Sequence, residues 1–283
     1  MIVRPVEDAD YHRLVNLIHF EAVVHRHLDW LAPLDWLQYE PFMVACVEDN
    51  LVGVLSCPVD PSGIAWIRLF GVISEWDEIQ IWNKLWASVK AEFQGQACPM
   101  IAALPLQGWF TDLLLAAGFE QETRVVFLAC HPEKKKKLEP DQSFIIRPMT
   151  IEDLGHVTEV DQTAFEPLWT NSQPMLAAAF QQSAISSVAQ DLSGRIIGYQ
   201  ISTSGHLGGH LARLAVLPEF QGKRIGTALV SDMLDKFASQ NVHRISVNTQ
   251  ENNPVSLKLY TRLGFHFTGE SYPVLTFDLR KSH

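Results

Sequence analysis

The sequence predicts an α/β protein of two successive domains, each a central sheet flanked by helices. Three observations predict it. Short apolar runs of strand length alternate with segments whose apolar residues recur at helical spacing. A charged, proline-flanked stretch, Pro132–Asp141, interrupts that alternation. The segments on its two sides repeat each other at a nearly constant offset. A length of 283 residues allows one large or two medium domains. With 47% hydrophobic and 19% charged residues, the chain should fold as a soluble globule with a sizeable core. The expected division is residues 1–131, a linker at 132–143 whose Lys134–Lys137 run reads as solvated, and residues 144–283.

The repeat is carried by named residues. Ile2-Val3-Arg4-Pro5 matches Ile145-Ile146-Arg147-Pro148 at an offset of 143. Each reads as a short strand entering a helix with an acidic first turn, Glu7-Asp8 and Glu152-Asp153. Leu113-x-x-x-x-Gly118-Phe119 matches Leu259-x-x-x-x-Gly264-Phe265 at an offset of 146. Arg68-Leu69-x-x-Val72 matches the segment at Arg213-Leu214 only loosely. Both halves end in strand-like runs, Arg124–Cys130 and Val274–Arg280. In the first half, Trp82, Leu85, Trp86 and Val89 at helical spacing predict core or inter-domain packing.

The second half reads in more detail. Ser143–Pro148 is a strand, and Glu152–Phe165 and Gln173–Gln182 are helices. Ala184–Asp191 and Arg195–Ser204 form a hairpin about Leu192-Ser193-Gly194. Leu211–Leu217 is a central strand closed by Pro218. Thr227–Ser239 is a helix with apolar Leu229, Val230, Met233, Leu234 and Phe237 on one side, and Ile225 just before it. Arg244–Thr249 alternates, with Ile245 and Val247 on one face. Pro254–Leu263 is a helix with Asn253 as cap, Pro254 in its first turn and Gly264 as its stop. Val255, Leu259 and Leu263 form its stripe, with Tyr260 beside it. Phe265–Thr268 and Val274–Arg280 are the final strands.

One connection carries chemistry. Gln221-Gly222-Lys223-Arg224-Ile225-Gly226-Thr227 joins the central strand to the helix after it. The first N–H groups of a helix have no partner within it, and the helix dipole is positive there, so such a turn suits an anion. Gly222 and Gly226 allow close backbone approach, and Lys223 and Arg224 add charge. The pattern is neither a Walker loop nor a dinucleotide-binding Gly-x-Gly-x-x-Gly. It predicts a phosphate-bearing ligand in a chain whose net charge is −10.

Residues 211–265 resemble the GNAT superfamily of N-acetyltransferases. The matching pieces are Leu214-Ala215-Val216-x-Pro218, Gln221-Gly222-x-x-Ile225-Gly226 and Asn253-x-x-Ser256-x-x-Leu259-Tyr260-x-x-x-Gly264-Phe265. The family's usual Gln/Arg-x-x-Gly-x-Gly/Ala has Arg224 at its first glycine here, which an αR start to the helix would accommodate. The resemblance implies a mixed, partly splayed sheet with helices on both faces, and acetyl-CoA as cofactor. It places the pantetheine arm along Leu214, Ala215 and Val216, and the pyrophosphate on Gln221, Gly222, Lys223, Arg224, Ile225, Gly226 and Thr227. Asn253 would bond the pantetheine or acetyl end. Tyr260 would protonate the departing thiolate, its phenol (pKa ~10) lying close to a thiol (~8.5). His210 corresponds to the base position of some members, but a structural strand-end histidine is the alternative, and Glu166 is another candidate base. Phe165, Trp169, Tyr199 and Tyr272 either line the acceptor cleft or belong to the core.

The first half differs where the chemistry should be. Ser74-Glu75-Trp76-Asp77-Glu78-Ile79 stands in place of the glycine loop, Leu114 in place of Tyr260 and Gln107 in place of Asn253. The carboxylates Glu75, Asp77 and Glu78 would repel a phosphate there. The first copy is therefore expected to be a GNAT-like domain without a cofactor site. The acidic balance argues against nucleic acid as a partner. Cys46, Cys57, Cys98 and Cys130 show no Cys-x-x-Cys pairing and read as reduced thiols in a cytoplasmic protein. The eleven histidines show no metal-ligand spacing, Met1–Pro5 does not read as a signal peptide, and no apolar run reaches membrane-spanning length. The expectation is an acetyl-CoA-dependent N-acetyltransferase acting on a small-molecule amine or a peptide amine. A non-catalytic acyl-CoA sensor or scaffold is the alternative, as is a protein N-terminal or lysine acetyltransferase. Association with a second copy is left open.

Overall fold

A computed structural model describes residues 1–61, 63–95, 100–132 and 143–281. Most of the charged linker and Cys98 lie outside the described residues. The chain divides into two compact units: Met1–Thr123 with Tyr272–His283, and Arg124–Ser271. A cut at the linker would part the chain between its two halves in sequence. The compact units instead take their last strands crosswise, Arg124 onward joining the second unit and Tyr272 onward the first.

The first unit begins β1 (Ile2–Pro5), α1 (Tyr11–Phe20), β2 (Val23–Arg26), β3 (Phe42–Val47) and β4 (Asn50–Ser56). It continues β5 (Ile64–Trp66), β6 (Leu69–Val72), α2 (Glu78–Glu92), β7 (Met100–Ala103) and α3 (Gly108–Ala116), and β8 (Glu120–Cys130) leads out of it. One sheet has the order β1-β3-β4-β6-β2, and β5 pairs with β7 in parallel. The predicted tryptophan stripe is interior. Ile81, Trp82, Leu85, Trp86 and Val89 turn one face of α2 onto Phe70, Phe110 and Phe119.

The second unit runs β9 (Phe144–Pro148), α4 (Leu154–Ala164), α5 (Gln173–Gln181), β10 (Ile185–Asp191), β11 (Ile196–Gly205) and β12 (Gly208–Val216). It continues α6 (Ile225–Ser239), β13 (Ile245–Gln250), α7 (Pro254–Arg262) and β14 (His266–Asp278). β9 to β12 pair antiparallel in sequence order, β12 and β13 are parallel, and β13 pairs antiparallel with β8. The sheet is mixed, as the resemblance implied. β14 is one unbroken strand rather than the two expected. Gly269, at φ 89°, is a positive-φ residue within that strand, between the two runs expected. Val230, Met233, Leu234 and Phe237 of α6 are buried against Leu211, Ile245 and Val247, and Leu229 is buried as well.

The duplication is visible at the level of hydrogen bonds. Arg4 donates to both carboxylate oxygens of Asp10 at 2.7 and 2.9 Å, and Glu7 N–H donates to Asp10 at 2.9 Å. Arg147 donates to both oxygens of Asp153 at 2.7 and 2.8 Å, and Thr150 N–H donates to Asp153 at 2.8 Å. Every residue of the second set stands 143 positions after its counterpart. In each unit the arginine of the first strand thus locks the entry of the first helix through a bidentate, charge-assisted pair.

Candidate functional site

The site is built where β12 leaves its neighbour. β12 and β13 pair over three rungs only: Gly209 with Ile245, His210 with Ser246 and Leu211 with Val247. Beyond Leu211 the pairing stops although both strands continue. The pairing of β12 with β11 also slips there. Ile201 faces Arg213 and Ser202 faces Leu211, so Ala212 is an extra residue, a β-bulge. A bulge increases local twist, which separates the strand ends. Past it, Leu214, Ala215 and Val216 still pair with β11 on one edge, but no described strand takes the other edge.

The turn at the end of β12 faces this opening. Gly222 has φ 77° and Arg224 has φ 63°. Arg224 is the N-cap of α6 and lies in the left-handed region, not in the αR start expected for it. A left-handed cap turns the chain sharply into the helix, which explains why a glycine suits the position, and a non-glycine residue there costs about 1–2 kcal/mol. No side chain caps α6 and no acidic residue stands in its first turn. The N–H groups of Ile225, Gly226 and Thr227 therefore open at a positive helix end with two positive-φ residues just before it, a concavity suited to an anion. Gln221 donates to the Val216 carbonyl at 3.1 Å, tying the turn to the strand. Lys223 lies over the Phe220 ring at 4.6 Å. Gly226 is directed into the gap between β12 and α7, where a Cβ would meet Val216 and Leu259.

α7 supplies the other wall. Asn253 accepts from Ser256 N–H at 3.0 Å, so its carbonyl oxygen is the helix cap, and its amide lies 3.4 Å from Gln250. Gly264, at φ 91°, ends the helix as predicted. Tyr260 is buried against Phe265. Burial alone raises the pKa of its hydroxyl, which keeps it protonated.

His210 sits on the middle paired rung, with Nδ1 2.9 Å from Ser246 Oγ. Burial lowers its pKa, opposed by contacts with Asn248 and Ser246, so the ring is neutral at pH 7. Across the bulge, His210 and Arg213 face the same side of β12, paired to Thr203 and Ile201, while Leu211 and Leu214 face α6. Glu166 is exposed. Tyr272 falls in the first unit and Tyr199 is fully buried, which removes Tyr199 from any cleft lining.

The main group missed in the sequence is the partner of Tyr199. Its hydroxyl donates to Asp161, on the buried face of α4, and Arg213 grips the same carboxylate through Nε at 2.7 Å and Nη2 at 2.9 Å. Burial opposes the charge of Arg213, but Tyr199 and Asp161 hold its pKa raised. The sequence did carry a signal for this pair. Arg213 interrupts the apolar run Leu211–Leu217, and Asp161 stands beside Val157 and Val160 on the apolar stripe of a helix.

The first unit differs at each of these places. Its α2 is capped by Asp77, which accepts from Gln80 N–H at 2.7 Å, and Glu78 follows. The edge of β6 not taken by β4 is paired with β2, from Val23–Val72 to Arg26–Leu69. Leu114 is fully buried and Gln107 makes no side-chain cap. Among the described residues no group of His, Cys, Asp and Glu could hold a metal ion, and no helix is long and apolar enough to cross a membrane.

Comparison with known proteins points to one family. Residues 155–265 match the acetyltransferase (GNAT) family. An uncharacterized N-acetyltransferase of Methanocaldococcus jannaschii is 26% identical over 122 residues, covering 43% of this chain and 77% of that protein. Among solved structures, a tandem GNAT protein from the clavulanic acid biosynthesis pathway aligns over 100% of this chain and 99% of its own, with a TM-score of 0.65 at 15% identity. A probable N-acyltransferase from Enterococcus faecalis aligns over 98% of this chain and 72% of its own, with a TM-score of 0.73 at 9% identity. At these identities the structural likeness is one of fold, and it extends over both units.

Proposed function

We propose that this chain, whose residues 155–265 belong to the GNAT acetyltransferase family, is an acetyl-CoA-dependent N-acetyltransferase with one working site, in its second unit. The observation that carries this reading is the uncapped N-terminus of α6 opening beside a strand edge that no described strand occupies. These features fit a ligand with a diphosphate at one end and an amide-bearing arm. The backbone of Gly222, Ile225, Gly226 and Thr227 would hold the diphosphate, with charge from Lys223 and Arg224 and support from Gln221. The backbone from Leu214 to Val216 would hold the arm, with the Asn253 amide nearby. Bound acetyl-CoA would supply an acetyl thioester and a thiol leaving group.

The residues then divide the proton work. Tyr260, kept protonated by burial, would donate a hydrogen bond to the thiol leaving group of bound acetyl-CoA. His210, neutral at pH 7, accepts the proton of an attacking amine directly or through water. The acceptor is a small-molecule amine or a peptide amine. The first unit supports the assignment by contrast. Asp77 and Glu78 occupy the helix end where a diphosphate would sit, and β2 occupies the strand edge where the arm would lie. Its role is then structural.

A thermal-shift titration tests the reading. Acetyl-CoA at 100 times its dissociation constant should stabilise the protein by about 2.7 kcal/mol. Absence of any shift sinks the cofactor assignment. A shift without CoA release across a panel of amines would leave an acyl-CoA-binding protein that is not an enzyme.

A further inference from the structure

We propose that the Asp161–Arg213–Tyr199 cluster is a positioning device that fixes residues 165–171 as one wall of the acceptor site. The proposal rests on the acetyltransferase reading above. α4 ends at Ala164 and α5 starts at Gln173, and between them only Pro167–Trp169 forms a helical turn. A connection of this kind is ordinarily among the least stable parts of a fold. Here one buried ion pair ties it at three points. The Phe165 ring lies 3.8 Å from the Arg213 guanidinium carbon. The Trp169 carbonyl accepts from Arg213 Nη2 at 2.5 Å. The Asn171 N–H donates to Asp161 Oδ1 at 2.8 Å.

An apolar pair would pack α4 on β12 as well or better, since buried ion pairs bring a large desolvation cost. What the ion pair adds is direction: Nη2 of Arg213 and Oδ1 of Asp161 each make a further hydrogen bond to the connection. Arg213 also shares a face of β12 with His210, so the clamp and the candidate base project from one strand. The first unit repeats the device. Arg68 pairs with Asp29 at 2.8 Å, lies over Trp36 at 4.6 Å and donates to the Asp60 carbonyl at 3.0 Å. Trp36 donates to Asp29 at 3.1 Å. In that unit, too, the arginine holds the segment that follows the first helix, and part of that segment is β2 on the edge of β6.

The test is the triple variant Asp161→Leu/Tyr199→Phe/Arg213→Met, which removes all three polar side chains together, so that none of them is left buried alone and only the Trp169 carbonyl and the Asn171 N–H lose a partner. Arg213→Lys, which keeps the charge and loses the fork, is the conservative second variant. Amide hydrogen exchange reads residues 165–171 and calorimetry reads acetyl-CoA binding. CoA release is followed with spermidine, glucosamine and a short peptide with a free N-terminus. In the triple variant, exchange at 165–171 should rise at least about tenfold while acetyl-CoA affinity stays within about threefold. KM for the amine should rise about tenfold or more, with kcat changed far less. Arg213→Lys should fall between parent and triple variant, and it alone decides if the triple variant does not fold. Exchange at the parent's rate overturns the clamp. Fast exchange with an unchanged amine KM overturns the acceptor wall. If the parent binds acetyl-CoA but acetylates none of the amines, the acetyltransferase reading falls and the acceptor wall with it, while the exchange contrast still decides the clamp.

Discussion

Gly226 stands second in α6, at the mouth of the opening between β12 and α7, and a side chain there separates folding from binding. A Cβ would meet Leu259 Cδ2 at 3.5 Å and Val216 Cγ2 at 3.8 Å, both ordinary van der Waals contacts. Gly226→Ala should therefore fold, with a gain in helix propensity of about 1 kcal/mol. Gly226→Asp adds a carboxylate to a first turn that has no acidic residue. The helix dipole favours it by about 0.3–1 kcal/mol, so the ligand-free protein should lose no stability. The same carboxylate would stand against a bound diphosphate. Two like charges about 4 Å apart at an effective permittivity of ~20 repel by about 4 kcal/mol. That is roughly a thousandfold in affinity. The assay is thermal unfolding of parent, Gly226→Ala and Gly226→Asp, with and without acetyl-CoA. A folded Gly226→Asp protein that binds acetyl-CoA as tightly as the parent would refute the placement of the diphosphate.

Three further outcomes are expected. Tyr260→Phe should keep CoA affinity and lower turnover by about 10²-fold; turnover unchanged at every pH would assign the proton to another group or to water. Arg224→Gly should be neutral or stabilising by up to about 1 kcal/mol, because glycine relieves a left-handed backbone; a loss of stability on denaturant unfolding would contradict that cap. Acid should weaken the first unit through His25, whose ring stacks on Phe110 with Nε2 unpartnered and whose pKa burial lowers to about 4. The folded pKa lies below the unfolded value of 6.5, so the stability is whole above pH 6.5 and falls as pH drops toward 4. The loss is about 2 kcal/mol by pH 5. Denaturant unfolding at pH 7 and pH 5 should show it in the parent and not in His25→Leu; equal pH dependence in the two would remove His25 as the cause.

Much of the fold was legible because it rests on local rules. Asn253, Pro254 and Gly264 bound a helix by capping chemistry, and the buried face of α6 follows from spacing alone. Arg4 and Arg147 were matched by the strand repeat in which they stand, while their pairing with Asp10 and Asp153, six residues on, appears only in the structure. What the sequence hid depends on distant pairing. Arg213 meets Asp161 across 52 positions, so neither charge had a visible partner. β2 looks like any short strand until its pairing with β6 shows that it closes a strand edge which the second unit leaves open. The conformation of Arg224 was misjudged for another reason. A charged side chain suits an anion site, but the sharp entry into α6 sets the backbone, and at Arg224 that entry is left-handed. The exchange of last strands between units is likewise a matter of pairing: residues 125–130 of β8 pair with β13, and residues 275–278 of β14 pair with β7.

The central claim is one acetyl-CoA site per chain, in the second unit. Calorimetric titration of the full chain with acetyl-CoA tests it most directly. The account predicts a stoichiometry near one, and no measurable binding once Gly226 is replaced by aspartate. A stoichiometry near two would place a working site in the first unit and contradict it, and a full isotherm surviving in Gly226→Asp would contradict the placement of the diphosphate at α6.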